Sequence, residues 1–245
     1  MRQFGLIGFP LGHSFSKQFF TEKFERENIE ADYDLYELAD INGFTALIEN
    51  NELCGLNITI PYKEAIIPFL DELDDTAAKI GAVNVIKFIR NGDKLTLKGY
   101  NSDAIGFENS IKPFLKPHHT KALILGTGGA SKAIDYSLQK LGIETTIVSR
   151  TAKPGILTYQ ELNVEILSEN LVIVNASPVG MFPHADECPD IPYSFLTDKH
   201  LLFDAVYNPA ETLFLKKGKE YGTKGLNGEV MLIGQAEAAW EIWNE

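Results

Sequence analysis

The chain has 245 residues and carries 22 Lys and Arg against 34 Asp and Glu, a formal net charge of −12. That balance argues against nucleic acid or an anionic membrane surface as a main partner, since both call for a basic face. The only cysteines, Cys54 and Cys188, lie far apart outside any C-x-x-C spacing, which speaks against a disulfide framework or cysteine zinc site and fits a reducing cytoplasm.

In chain order, the apolar run Phe4 to Phe9 reads as a strand and Ser14 to Asn28 as a helix, with Phe15, Phe19, Phe20 and Phe24 along one side. Tyr33 to Leu38 reads as a second strand, Ile41 to Asn51 as a second helix and Leu56 to Ile60 as a third strand. In that third strand Asn57 and Thr59 alternate with Leu56, Ile58 and Ile60, so one face is polar. Pro61 ends it, and a helix rich in Ile and Leu is expected from Lys63. Val83 to Arg90 and Leu95 to Tyr100 flank Asn91-Gly92, the favoured sequence of a type I′ hairpin.

A second α/β set follows. Ala122 to Leu125, Thr145 to Ser149, Val172 to Asn175 and Leu201 to Val206 are short apolar runs of the kind found in parallel strands covered on both faces. Glu229 to Trp243 repeats apolar residues at helical spacing. A break near Asn101 to Ile105 divides the chain into two α/β lobes, and two lobes imply a cleft. No apolar stretch approaches the ~20 residues of a membrane span.

ALILGTGGASKA, Ala122 to Ala133, is an apolar strand running through glycines into a helix, the context of dinucleotide binding. Gly126 permits the tight turn, Gly128 admits the pyrophosphate, and the helix N-terminus offers N–H donors. Ser131 stands where G-x-G-x-x-G has its third glycine. The next strand ends in Ser149, Arg150 and Thr151 rather than in an acidic residue. A guanidinium there suits a 2′-phosphate, favouring NADP over NAD, with a solvated surface arginine as the alternative. In the first lobe, Ser14 and Ser16 at a helix start suit either an N-cap or a bound carboxylate. Lys63 in a first helical turn opposes the macrodipole, so helix stability does not explain it. Asp103 reads as an N-cap or as part of a site, beside the segment ends GAVN and YNSD.

The ordered set GHSFS, LNITIPYKE, GAVN, NSD, GTGGASKA, SRT, NASPVGM, FDAVYNP and NGEVMLIGQ resembles the shikimate dehydrogenase family over nearly the whole chain. The resemblance implies a substrate-binding catalytic domain of residues 1–103 plus 233–245 and a Rossmann-like NADP-binding domain of residues 104–232. It implies reversible NADPH-dependent reduction of 3-dehydroshikimate, with Lys63 and Asp103 as the catalytic pair. Ser14 and Ser16 would hold the substrate carboxylate with Thr59 nearby. Asn84, Asp103 and Gln235 would bind ring hydroxyls, and Asn57 and Tyr207 would also border the substrate. NADP would contact Gly126, Thr127, Gly128, Gly129 and Ala130, then Ser149, Arg150 and Thr151 at the 2′-phosphate. Asn175, Ala176 and Ser177 would follow along its length, and Val206, Gly228 and Met231 would line the nicotinamide pocket. A cytoplasmic monomer or homodimer is expected, with no metal.

Three stretches depart from the family pattern. NSDA replaces the common N-T-D-G, GEVM replaces G-L-G-M, and Lys153 stands where a second arginine often follows the R-T pair. A relative preferring quinate or NAD, or a nucleotide-sensing module without catalysis, are the alternatives.

Overall fold

A computed structural model describes residues 1–12, 14–49 and 52–245. His13 of the GHSFS motif, and Asn50 and Asn51 at the end of the expected second helix, lie outside the described residues. The chain forms two units, Met1–Ser102 with Ala236–Glu245, and Asp103–Gln235.

The first unit contains β1 (Arg2–Gly8), α1 (Phe15–Glu27), β2 (Ala31–Glu37), α2 (Phe44–Glu49), β3 (Leu53–Ile58), β4 (Glu72–Leu73), α3 (Asp75–Ile80), β5 (Val85–Asn91) and β6 (Lys94–Tyr100). Its six-stranded sheet has the order β2-β1-β3-β5-β6-β4. β1 is parallel to β2 and β3, whereas β5 is antiparallel to β3 and β6. Alternation along β1 sends Phe4 and Leu6 to one face and Ile7 to the other. The first face packs Phe20 and Phe24 of α1 with Ala239 and Trp243 near the chain's end; the second packs Phe44 of α2 and Ala77 of α3. Gly55 is required here, because a Cβ would fall 2.3 Å from Nε1 of Trp243.

Two local expectations are corrected. β3 begins three residues earlier than its alternation indicated and ends two earlier, at Ile58, because Thr59 to Tyr62 turn back, with Tyr62 N–H bonded to the Thr59 carbonyl at 2.9 Å. No helix starts at Lys63. Turns lead instead to a short 3-10 segment, Ile67–Phe69. Pro68 supplies the reason: inside a helix it would lack a donor and clash with the carbonyl four residues back. The hairpin also differs, since Asn91 pairs with Lys94 and leaves Gly92 and Asp93 as the loop. Gly92, at φ 61°, supplies the one positive φ that a II′ turn needs at its first central position.

The second unit contains α4 (Asp103–Ile111), β7 (Lys121–Leu125), α5 (Gly129–Lys140), β8 (Glu144–Ser149), β9 (Leu157–Thr158), α6 (Val164–Glu169), β10 (Val172–Asn175), β11 (Leu201–Asp204), α7 (Leu213–Glu220) and β12 (Lys224–Leu226). α8 (Glu229–Asn244) starts in this unit and continues into the first. The sheet order is β12-β11-β10-β7-β8-β9 and every pairing is parallel. Counted within the unit, that is the doubly wound order 3-2-1-4-5-6. β7, β10 and β11 are buried on both faces, as their unbroken apolar runs require. α4 and α8 cross closely, since a Cβ on Gly106 would lie 2.5 Å from the Met231 carbonyl oxygen.

Candidate active site

In the second unit, the expected cofactor residues follow the carboxyl ends of neighbouring parallel strands. Gly126 follows β7, Ser149 closes β8, Asn175 closes β10, Val206 follows β11 and Gly228 follows β12. β7 lies between β8 and β10, which places the glycine loop at the point where strand order reverses, where such sheets bind ligands. Gly126 has φ 132° and a Cβ there would meet the Ala176 carbonyl oxygen at 2.9 Å. Gly128 caps α5 without a side-chain hydrogen bond, and a Cβ built on it meets nothing within 4 Å. The protein's own packing therefore explains Gly126 but not Gly128, and the open space before the N–H groups of Gly129 and Ala130 fits a phosphate. Ser131, in place of a third glycine, is buried and donates its hydroxyl to the Gly126 carbonyl at 2.6 Å, which ties the loop to the helix. Arg150 and Thr151 are exposed just beyond β8, and Thr151 N–H bonds the Ser149 hydroxyl oxygen at 3.2 Å. An exposed guanidinium at this strand end fits an anionic 2′-phosphate.

Two assignments acquire a structural cause. Asn175 is fully buried and its amide is engaged on both sides: Nδ2 donates to the Val179 carbonyl and to Asp204 Oδ1, while Oδ1 accepts from the N–H and hydroxyl of Ser177. Gly228 is glycine because a Cβ would lie 2.3 Å from the Ala205 carbonyl oxygen. Val206 and Met231 are buried and Tyr207 is half-buried. Gln235 is buried and donates to the Leu232 carbonyl at 2.9 Å.

Asp204 and Thr212 carry no expected role, yet they organise these strand ends. Asp204, fully buried, accepts at Oδ1 from Asn175 Nδ2 (2.9 Å) and Val206 N–H (3.0 Å), and at Oδ2 from the Thr212 hydroxyl (2.6 Å). Burial pushes its carboxyl up to about 6, against the lowering effect of those donors. A carboxylate closing the apolar run LLFD is the signal that could have found it. Asp103 opens α4 as its first residue rather than capping it, and is buried.

In the first unit, Ser14 is the N-cap of α1, accepting the Lys17 N–H at 3.4 Å. Ser16 sits in that helix's first turn, half-buried. Tyr33 donates its hydroxyl to Asn57 Oδ1 at 2.8 Å, and Asn57 Nδ2 donates to the Asn84 carbonyl at 3.3 Å. The Asn84 side chain pairs with Ser102 twice: Oδ1 accepts the Ser102 N–H at 2.7 Å and Nδ2 donates to the Ser102 hydroxyl at 2.9 Å. Asn57 and Asn84 thus belong to one buried hydrogen-bond chain, in which Tyr33 is the member that sequence reasoning does not single out. Thr59 lies just past β3, its N–H on the Ile7 carbonyl at 2.9 Å. Lys63, half-buried in a turn, accepts the Val83 N–H on its carbonyl at 2.7 Å, which joins the YKE and GAVN segments. Because that turn starts no helix, the expected opposition from a macrodipole does not arise.

A glycine loop at the switch point of a six-stranded parallel sheet, joined to a second α/β unit, defines a dinucleotide-binding protein of the two-unit dehydrogenase class. Residues 6–86 match the family profile of the shikimate dehydrogenase substrate binding domain. The shikimate dehydrogenase (NADP(+)) of Carboxydothermus hydrogenoformans is 38% identical, over 98% of this chain and 90% of its own. The crystal structure of shikimate dehydrogenase from Aquifex aeolicus superposes with a TM-score of 0.87 at 34% identity, covering 99% of this chain and 92% of that one. That of the Thermus thermophilus enzyme in complex with NADP(H) and shikimate gives 0.86 at 28% identity, covering 99% and 93%. The chain belongs to the shikimate dehydrogenase family. Among the described residues, no helix is long and apolar enough to cross a membrane, and no group of three His, Cys, Asp or Glu could hold a metal ion.

Proposed function

We propose that the protein catalyses the reversible NADPH-dependent reduction of 3-dehydroshikimate to shikimate, on the route to chorismate and the aromatic amino acids. The observation that carries this reading is the similarity to shikimate dehydrogenases over nearly the whole chain, in which the phosphate loop and Lys63 with Asp103 are both present. The net charge of −12 accords with a cytoplasmic enzyme that has small-molecule partners rather than nucleic acid or membrane, acting as a monomer or homodimer.

NADP, when bound, supplies the hydride or takes it up. The backbone of Gly126 to Ala130 holds its pyrophosphate, and Ser149, Arg150 and Thr151 hold the 2′-phosphate. Ala176 and Ser177 border it along its length, with Asn175 acting through the turn that it fixes. Val206, Gly228 and Met231 wall the nicotinamide side. Ser14 and Ser16 bind the substrate carboxylate, with Thr59 beside them. Asn84, Asp103 and Gln235 bind ring hydroxyls, Asn57 supports Asn84, and Tyr207 borders the ring. Lys63 and Asp103 hold the proton that the substrate carbonyl oxygen gains on reduction, and the Lys63 ammonium stabilises the negative charge developing on that oxygen.

The test mixes the protein with shikimate and NADP⁺ and follows reduced nicotinamide by absorbance, with quinate and NAD⁺ in parallel. Turnover should be highest for shikimate with NADP⁺. Lys63→Ala should lower turnover by roughly 10²–10⁴ while NADP binding stays within about twofold. No turnover by the unaltered protein would sink the reading, and an active Lys63→Ala would remove Lys63 from the chemistry.

A further inference from the structure

We infer that Tyr33 is a positioning residue for the substrate, whose buried hydroxyl sets the amides of Asn57 and Asn84 in their binding orientations. The inference rests on the reading that Asn84 binds the substrate, and adds a residue that touches it at no point.

The Tyr33 ring stacks on Phe20, with centroids 4.7 Å apart and planes 15° from parallel, in the core between α1 and the sheet. A phenylalanine would satisfy that packing; the hydroxyl needs another reason. Burial pushes its pKa well above the ordinary 10, so the group stays a neutral donor and acceptor. Its single hydrogen goes to Asn57 Oδ1. That bond decides which way the Asn57 amide faces. With Oδ1 on Tyr33, Nδ2 must meet the Asn84 carbonyl. That carbonyl also accepts the Ile58 N–H at 2.9 Å, so the backbone of Asn84 is pinned from two sides. Ser102 then fixes the Asn84 side chain in one orientation, because donor faces acceptor at both contacts.

Tyr33 therefore supports hydroxyl binding through Asn57 and Asn84, which acts on the substrate rather than the nucleotide.

Tyr33→Phe, which keeps the ring, should raise the KM for shikimate roughly three- to tenfold, the loss of about one hydrogen bond. The kcat and the KM for NADP⁺ should stay within about twofold. Ser102→Ala, at the other end of the chain of bonds, should shift the same constant in the same direction by a smaller factor. Phe20→Leu is the control: it disturbs the stack but no hydroxyl, and should lower the melting temperature without moving the KM for shikimate. The inference is overturned if folded Tyr33→Phe keeps the unaltered KM for shikimate, or if that KM and the one for NADP⁺ rise together. Were Tyr33→Phe not to fold, an unaltered KM in Ser102→Ala would overturn it. Failure of the functional reading is a separate result, the unaltered protein showing no turnover of shikimate at all.

Discussion

Each unit buries a polar network near the carboxyl ends of its central parallel strands, and each network contains an asparagine at a strand end, Asn57 in β3 and Asn175 in β10. In the first unit the chain of bonds runs through hydroxyls and amides only, from Tyr33 through Asn57 and Asn84 to Ser102. In the second, the hub is a carboxylate, and the donors of Asn175, Val206 and Thr212 converge on Asp204. A neutral network fixes orientations without keeping a charge out of water. A buried carboxylate grips more donors per residue, because charge-assisted hydrogen bonds are about twice as strong, but it incurs desolvation and becomes sensitive to pH. The unit expected to hold a substrate with several hydroxyls has the first kind; the unit whose turns must hold a backbone cradle has the second.

The widest separation of the two should come from deleting the hub. Asp204→Ala strands three buried donors at roughly 1–3 kcal/mol each, partly offset by no longer burying a carboxylate, for a net loss of about 3–5 kcal/mol. Urea unfolding of the whole protein measures it. A loss below about 1 kcal/mol would mean that the donors find other partners and that Asp204 is no hub.

Much of this architecture is legible in the chain, for identifiable reasons. The strands of the second unit are unbroken apolar runs, and the loop after Leu125 needs glycine at Gly126 because a carbonyl from a neighbouring turn fills the space. Such local constraints leave a mark on composition. Ser14 and Asn28 likewise mark the two ends of α1, the first by accepting Lys17 N–H and the second by taking φ 51°. The segment after Lys63 misleads because its Ile and Leu spacing outweighs Pro68, whose missing donor ends any helix there. Tyr33 is invisible for a different reason. In β2 it reads as one more apolar ring, and the partner that gives its hydroxyl a purpose comes from β3, 24 positions away. Asp204 is the opposite case, a visible oddity whose donors, from β10 and from the start of α7, are hidden.

A second experiment sharpens the contrast by titration. Burial moves the Asp204 carboxyl from its ordinary 3.8 up to about 6, so between those values the folded chain binds a proton that the unfolded chain does not. The stability this adds is fully present below pH 3.8 and is lost as pH rises through about 6. At about 1.4 kcal/mol per unit, the swing is roughly 3 kcal/mol at most. Asp204→Asn keeps the shape and cannot titrate. The unfolding free energy of the unaltered protein, relative to that variant, should therefore improve by about 2 kcal/mol from pH 7 to about pH 4.5. No matching swing is expected between the unaltered protein and Tyr33→Phe, because that hydroxyl is neutral throughout. Parallel pH curves for the unaltered protein and Asp204→Asn would remove the charged character assigned to this network.

The smallest effect sits at the opposite ends of the same strands and runs in the opposite direction. His119 precedes β7 and His200 precedes β11, both buried. Each uses Nδ1 to accept a backbone N–H, from Lys116 and Thr197 respectively, both at 3.0 Å. Each therefore carries its hydrogen on Nε2, facing the Lys199 carbonyl at 3.1 Å for His119 and the Leu167 carbonyl at 3.0 Å for His200. A second proton on either ring would have to enter at Nδ1 and break its bond, and burial lowers the pKa of both below the ordinary 6.5. Unfolded chains then bind more protons in acid, so this contribution is full above pH 6.5 and is lost as pH falls below it. Acid thus weakens the amino ends of the strands while it relieves the carboxyl ends, and the two trends partly cancel in the unaltered protein. Asp204→Asn should uncover the histidine trend as a steeper loss of stability below pH 6.5. His200→Gln placed in that background should cost about 1 kcal/mol at neutral pH, for a hydrogen bond made less well. It should also make the acid slope shallower, and an unchanged slope would show that His200 takes no part in it.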